Sequence, residues 1–353
     1  MADRGAGSSP LRGRLALSRV RPLEWVDLCA ALAMLNYQLT TPTTLENVMA
    51  LKIIGIDIGG TKCAVSILSD GVVKEVGRFP TQDFATTFQW FRQQVAQLAP
   101  GPEVVFGISC GGPLDAKRGI ILCPPNLPGW VDLDICRAFT DLFGGRAFLM
   151  NDANASALAE WHFGAGRGCA SMVFLTAGTG MGAGLILDGR LYEGATGDAG
   201  EVGHLRLRPD GPLGFGKRGS FEGFCSGGGV ARLAVAMGWP QTEVTLKDIA
   251  VAAAAGDALA LKVIDVAGER LGEALALLID TLNPERMVLG GYFPRCADLL
   301  RPAMNRALTA EALAGPRAAC QIVPAILGET IGSNAAVAVA LHALNILPSK
   351  VNH

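Results

Sequence analysis

Two glycine-dense stretches constrain this chain more than anything else in it. GIDIGGTK spans Gly55 to Lys62, and TAGTGMGAG spans Thr176 to Gly184. Each lies among runs of β-branched and apolar residues, so each reads as strand, turn, strand. Glycine weakens a strand interior, and the four glycines of the second stretch therefore need a physical reason. Close approach of backbone to an anion is one, because successive N–H groups in such turns form a concave phosphate site. The plainer alternatives are an ordinary type I′ turn at Gly59-Gly60 and a flexible hairpin at the second stretch.

The segments that follow each hairpin repeat one another in kind. TTFQWFRQQVAQLA has helical spacing, EVVFGISC and RAFLMND read as short strands, and DLDICRAFTDLFG and ANASALAEWHFGAG read as helices. After the second hairpin come a helix over 259–282 stopped by Asn283-Pro284, the strand RMVLGGYF, and a closing helix SNAAVAVALHALNIL. The pattern predicts an α/β fold of two domains, each a mixed sheet with flanking helices, duplicated in topology but not in sequence. Ligands of such sheets sit at the carboxyl ends of strands, so the two hairpins are expected to wall one central cleft.

Length and composition agree with this. At about 100–200 residues per domain, 353 residues are enough for two domains. A net charge of −2 gives no reason to expect nucleic acid as a partner. Mean hydropathy is +0.34, yet the richest stretch, DIAVAAAAGDALALKVIDVAG, is cut by Asp257, Lys262 and Asp265, so no membrane span is expected. Nine scattered cysteines without a C-x-x-C suit a reducing compartment and predict a cytoplasmic protein free of disulfides. Residues 1–49 show no clear period. They read either as a disordered extension or as a start assigned too early, with Met49 the true first residue. Asp3, Glu24 and Asp27 weigh against a transit peptide.

Polar residues fall where strands should end. Asp57 closes the first strand and is placed to orient a hydrated Mg²⁺, and Thr61 beyond the Gly59-Gly60 turn adds a hydroxyl donor ahead of Lys62. Asn151-Asp152 ends another strand just before a helix. Asp152 there can take a proton from a substrate hydroxyl; the competing reading is a helix N-cap. Glu201 and His204 bracket a glycine in GEVGHLRLRPDG, Glu222 stands in RGSFEGF, and Asn126 in PPNLPGW. Such acids and amides suit a polyhydroxyl ligand, with turn caps and solvated acids as alternatives. GPLGFGKRG, Gly211 to Gly219, has the outline of a P-loop and of a dinucleotide fingerprint. Arg218 follows Lys217 where a P-loop needs Ser or Thr. Gly219, Gly223 and Gly227 to Gly229 are expected to delay any helix until about Val230. Neither outline fits.

With these motifs assembled, Lys52 to Leu347 resembles the ROK sugar kinases, a branch of the actin-like, hexokinase-like ATPase superfamily with its ribonuclease H-like fold. GIDIGGTK resembles the family's first phosphate hairpin and TAGTGMGAG its second. NDANASALAE resembles its catalytic segment, and GDAGEVGHLRLRPDG with GSFEGFCSGGG its sugar-site and signature region. The resemblance implies lobes of residues 50–168 plus 329–353 and of 169–328, closing over ATP and a hexose. It implies Asp152 as general base, with Asn126, Asn151, Glu201, His204 and Glu222 on the sugar. It implies Asp57 serving Mg²⁺ through water. Gly59, Gly60, Thr61, Lys62, Thr176, Gly178, Thr179 and Gly180 would hold phosphates, and Gly227, Gly228, Gly290 and Gly291 would lie near the nucleotide. A homodimer is the implied assembly.

One departure is large. Many family members carry C-x-C-G-x-x-G-C-x-E after the histidine, a structural zinc site. Leu213, Phe215 and Ser220 replace those cysteines here, while Gly216, Gly219 and Glu222 are retained. Zinc needs about four N or S ligands, so zinc is expected to be absent, with Leu213, Phe215, Phe221 and Phe224 holding the loop by apolar packing. The function read from the sequence is ATP-dependent phosphorylation of a hexose hydroxyl, the 6-OH of glucose or a related hexose. N-acetylated hexosamine, fructose or allose are alternative substrates. A sugar-sensing repressor or a non-catalytic sugar-binding protein are the alternative functions. The residues before Met49 lack the two-helix basic pattern of a DNA-binding module, and Asp152 argues against a non-catalytic protein.

Overall fold

A computed structural model describes residues 51–178 and 180–348. The extension expected over residues 1–49, and Thr179, lie outside the described residues. β1 (Ile53–Ile58), β2 (Lys62–Ser69) and β3 (Val72–Pro80) form an antiparallel meander, and α1 (Phe84–Gln97) leads to β4 (Val105–Cys110). A small sheet of β5 (Leu114–Asp115), β6 (Ile120–Ile121) and β7 (Leu133–Asp134) precedes α2 (Ile135–Phe143), β8 (Arg146–Asn151) and α3 (Asp152–Phe163). The chain then starts again with β9 (Met172–Ala177), β10 (Met181–Leu187) and β11 (Arg190–Leu191). The two-residue strands β12 (Leu213–Gly214) and β13 (Lys217–Arg218) follow, then α4 (Phe221–Cys225), α5 (Gly227–Ala236), α6 (Leu246–Ala254) and α7 (Ala258–Leu282). Last come β14 (Arg286–Leu289), α8 (Phe293–Glu311), α9 (Ala314–Ala319), β15 (Gln321–Pro324) and α10 (Ile331–Ala343).

The two large sheets have the orders β3-β2-β1-β4-β8 and β11-β10-β9-β14-β15. In each, three antiparallel strands are followed by two that run parallel to the third. The topological duplication expected from the hairpins is present strand for strand. Among the described residues, no helix is long and apolar enough to cross a membrane.

Successive residues of a strand face opposite sides, and here both sides are covered. Ile54, Ile56 and Ile58 pack with Phe91, Phe106 and Phe139, while Ile53 and Val105 pack with Val337, Ala340 and Leu341 of α10. Gly55 and Gly107 are register partners on β1 and β4. A Cβ on Gly107 would stand 2.0 Å from Ala336 O, and one on Gly55 2.9 Å from Val337 N. The paired glycines thus make a groove into which α10 settles, and α10 in turn packs on α3.

α3 lies on β9 and β10. A Cβ on Gly184 would stand 2.4 Å from Ala157 Cβ, and one on Gly182 3.5 Å from Ala153 Cβ. These two hairpin glycines therefore admit a helix. Only the loop glycines remain for a phosphate, which narrows the sequence reading of that stretch. A second correction concerns Gly223 and Gly227 to Gly229. They do not delay a helix: α4 starts at Phe221 and α5 at Gly227, each capped by a serine hydroxyl, Ser220 to Gly223 N–H and Ser226 to Gly229 N–H. Serine caps supply the acceptor that glycine-rich first turns lack. The glycines allow α4 and α5 to meet closely, since a Cβ on Gly229 would stand 2.3 Å from Glu222 O. At the other end of the family of helices, α7 stops where Asn283-Pro284 predicts, with Asn283 left-handed at φ 44°.

Candidate active site

The first hairpin is a four-residue loop. Ile58 pairs with Cys63, Gly59 N–H donates to Lys62 O at 3.1 Å, and neither Gly59 nor Gly60 is left-handed. This excludes the type I′ alternative, which needs positive φ at both central residues. Thr81 fastens the loop: its hydroxyl donates to Gly59 O at 2.6 Å and its N–H to Thr61 O at 3.1 Å. A Cβ on Gly60 would stand 2.8 Å from Asn126 Cβ, so the loop rests on the Asn126 segment.

The second hairpin is braced from three directions. Glu222 Oε2 accepts Met181 N–H at 3.1 Å, and Gly178 O accepts Gly227 N–H at 2.8 Å. Gly290 N–H donates to Leu175 O at 2.7 Å and Tyr292 N–H to Ala177 O at 2.9 Å. Gly291, at φ +66°, presses so closely that a Cβ there would stand 1.9 Å from Ala177 O. Gly180 sits beside the acid, its Cβ position 3.1 Å from Glu222 Oε2.

A cavity of about 370 Å³ lies between these hairpins. Asp57, Lys62, Glu75, Arg78, Ser109, Asp152 and Ser156 line it from the first half, and Phe174, Thr176, Gly290, Gly291 and Arg295 from the second. Gly328, Glu329, Gly332 and Ser333, leading into α10, complete it. Six residues named from the sequence are thereby brought together: Asp57, Lys62, Asp152, Thr176, Gly290 and Gly291.

Asp152 is not the helix cap. Asn151 takes that role, its Oδ1 accepting Ala153 N–H at 2.9 Å, and Asp152 begins α3 with its carboxylate toward the cavity. Asp152 is open to the cleft, yet the surrounding protein removes enough water to raise its carboxyl above the usual range. Asp57 lies against the first turn of α10, where a Cβ on Gly332 would stand 2.1 Å from its Oδ2. Burial, and then the neighbouring charge of Asp152, raise the Asp57 carboxyl from 3.8 to about 7, against the pull of Lys62 and the Ser109 hydroxyl. Two carboxylates in one cavity are a donor set that suits Mg²⁺, which takes one or two acids and fills its shell with water and phosphate. Among the described residues, no cluster of three or more His, Cys, Asp or Glu could hold a metal by itself.

The remaining sugar candidates lie elsewhere. Asn126, Asn151, Glu201, His204 and Glu222 do not line this cavity. Glu201 is exposed at the start of the 3-10 turn Val202–His204, and the His204 carbonyl accepts from Lys217 Nζ at 2.6 Å. Gly227 docks on the second hairpin, and Gly228 borders a separate recess of about 340 Å³ with Arg232 and Thr242. The loop Gly211 to Gly219 is a β12–β13 hairpin. Its expected apolar anchor is half right. Phe221 and Phe224 are buried, but Leu213 is 44% and Phe215 74% exposed, with Phe215 at φ 39° and edge-on to His204 at 5.4 Å. Side-chain bonds to the backbone hold the hairpin instead: Ser220 Oγ donates to Lys217 O at 3.1 Å and accepts Gly223 N–H, and Arg206 Nη1 donates to Arg218 O at 2.8 Å.

Sequence reasoning missed Glu75, Arg78, Ser109, Arg295, Glu329 and Gly332, which reach the cavity only through folding. It also missed Glu160. This buried acid of α3 accepts Ala165 N–H at 2.7 Å through Oε2, and Ile326 and Leu327 N–H at 3.1 Å each through Oε1. It fixes the segment that carries Glu329 and Gly332 to the helix that carries Asp152. The signal was available, since an acid within the otherwise apolar ALAEWHF run needs partners once buried.

The sequence pattern of the ROK family matches residues 53–343. A glucokinase of Thermotoga maritima is 32% identical over 268 residues, which cover 71% of this chain and 84% of that protein. The crystal structure of a ROK hexokinase from Thermus thermophilus has a TM-score of 0.72 and 31% identity, covering 83% of this chain and 99% of the other. A ROK family glucokinase from Streptomyces griseus, solved in complex with glucose and AMPPNP, has a TM-score of 0.64 and 28% identity, covering 82% and 98%.

Proposed function

The chain belongs to the ROK family, has the actin-like ATPase fold and is an ATP-dependent sugar kinase, and from that premise we propose that it phosphorylates the 6-OH of glucose or a closely related hexose with Asp152 as general base. The observation that carries this reading is the position of Asp152. Asn151 caps α3, so the Asp152 carboxylate is left facing a cavity lined by Lys62 of the first hairpin and Thr176 of the second. A carboxylate there accepts the hydroxyl proton as the sugar oxygen attacks the γ-phosphorus, and ADP leaves from the opposite face.

The chain's own residues supply position and charge. Lys62 lines the cavity from one side and Thr176 with Gly290-Gly291 from the other, and the two hairpin loops just beyond this lining would complete the hold on the phosphates. Holding the two reactants in line is one of the two contributions such a site makes, and neutralising the phosphate charge is the other. Mg²⁺, when bound, neutralises phosphate charge, and Asp57 is the residue that would hold it through water. Asn126, Asn151, Glu201, His204 and Glu222 stand outside this cavity's lining and are assigned to the sugar on the family resemblance alone, with Glu222 also fixing Met181 of the second hairpin. Two lobes, 50–168 with 329–353 and 169–328, would close on the bound pair.

A coupled ADP-release assay over glucose, mannose, fructose, allose and N-acetylated hexosamines tests the reading. Turnover is expected to be fastest with glucose or its near relatives. Folded protein that turns over none of them would contradict it.

A further inference from the structure

Seven charged residues line the main cavity: four acids, Asp57, Glu75, Asp152 and Glu329, against three cations, Lys62, Arg78 and Arg295. A nucleoside triphosphate entering this space needs cations, and all three are already paired. The pairs differ in kind. Arg78 and Glu75 lie on one strand and meet through two bonds, Nε to Oε1 at 2.9 Å and Nη2 to Oε2 at 2.7 Å. Ser333 Oγ donates to the same acid at 3.0 Å, and both side chains are about one-third exposed. Bidentate, partly buried pairs of this sort are the strong ones.

Glu329 is held loosely by comparison. Lys62 Nζ meets its Oε2 at 3.1 Å, and Arg295 Nη1 stands 4.0 Å from its Oε1. Glu329 is 76% exposed, Arg295 72% and Lys62 44%. Single contacts between exposed side chains are readily exchanged in water. The two cations come from different halves of the fold: Lys62 from the first phosphate hairpin, Arg295 from the first turn of α8, four residues beyond Gly291. Arg295 Nη2 is 3.4 Å from Gly291 O, so its guanidinium already stands beside the second phosphate wall.

We propose that Glu329 is an internal counter-anion that holds Lys62 and Arg295 in the empty enzyme and yields both to the phosphates of the bound nucleotide, making Arg295 a phosphate-binding residue. The inference rests on the reading that ATP occupies this cavity. An anion that competes with phosphate for the same cations lowers the competent fraction, and the apparent affinity falls in proportion.

Calorimetric titration of ATP into the full chain reads this without requiring turnover. Glu329→Gln is expected to bind ATP about fivefold more tightly, the gain that follows if Glu329 occupies the cations about four-fifths of the time. Arg295→Gln is expected to weaken ATP about tenfold, and in that background Glu329→Gln should give a smaller gain. The sugar KM serves as the control and should not move. Weaker or unchanged ATP binding in Glu329→Gln overturns the proposal, as does an Arg295→Gln variant that binds ATP like the parent. If no variant nor the parent binds ATP, the placement of the nucleotide in this cavity fails instead.

Discussion

Gly332 and Asp57 are in direct opposition: a methyl group on Gly332 would stand 2.1 Å from Asp57 Oδ2. The contact sets the Asp57 carboxylate against the first turn of α10, where backbone N–H groups favour a negative charge. Gly332→Ala must push that carboxylate aside. Alanine is otherwise the better helix residue, by about 1 kcal/mol, so the fold has no reason to loosen. We expect kcat to fall about 100-fold, the order that a 1 Å misplacement costs, while the melting temperature changes little. Parallel turnover and thermal-melt measurements check this, and an unchanged kcat would show that Asp57 is not held in place by this contact.

Asn151 and Asp152 sit side by side and should fail differently. Asp152→Asn keeps the shape and removes the base. Phosphoryl transfer should drop by about 10²–10⁴-fold while sugar binding survives, as read by calorimetry beside the kinase assay. Asn151→Ala removes the acceptor of Ala153 N–H and a side chain assigned to the sugar, so it should destabilise the fold by about 1 kcal/mol in denaturant unfolding and raise the sugar KM while kcat survives. Equal losses of kcat in the two variants would remove the distinction between cap and base.

The strands and hairpins were legible because their chemistry is local. Alternation, turn residues and glycine clusters mark β1–β2 and β9–β10 without reference to the rest of the chain. What a glycine faces is not local. Gly184 meets Ala157 of α3 and Gly60 meets Asn126, and nothing in the two motifs separates the helix-facing glycine from the loop one. The cavity's charged residues show the same limit. Arg78 sits on the third strand, Arg295 on α8 and Glu329 in the turn before α10, and only the fold of the two duplicated halves unites them. α10 also begins on Thr330 without a side-chain cap, so no N-cap signal advertised its first turn. Asp152 was legible as a candidate, but its cap alternative could be dismissed only when Asn151 was seen to hold Ala153.

Asp57 makes the empty enzyme's stability depend on pH. Its folded carboxyl is raised from 3.8 to about 7. Between those values the folded state binds a proton that the unfolded state has released, so stability falls as pH rises through this window. Asp57→Asn removes that residue's share of the slope. Thermal melts of metal-free, nucleotide-free protein from pH 4 to 8 should therefore show a decline for the parent that is flatter for the variant. Catalysis runs the opposite way, because Asp152 must be ionised to accept a proton and its own carboxyl is also raised. The kcat/KM for sugar should climb with pH and level off at a higher pH than an ordinary aspartate would allow. A profile already flat at pH 5 would contradict the upward shift of Asp152.

Glu160 carries the connection between Asp152's helix and the segment that leads into α10. Its two carboxylate oxygens accept from Ala165, Ile326 and Leu327, and every one of those donors is a backbone N–H. Glu160→Gln keeps the volume but turns one oxygen into an NH₂ group, which must face a backbone donor. Leaving a buried donor unmet costs about 1–3 kcal/mol, so the denaturant midpoint should fall by that equivalent. The segment 325–333 supplies Glu329 and Gly332 to the cavity, so loosening it should also raise the KM for ATP. Glu160→Ala removes the acceptors and the packing volume together and should be worse on both measures. A Glu160→Gln variant as stable as the parent would show that the amide reorients and that the backbone donors find other partners.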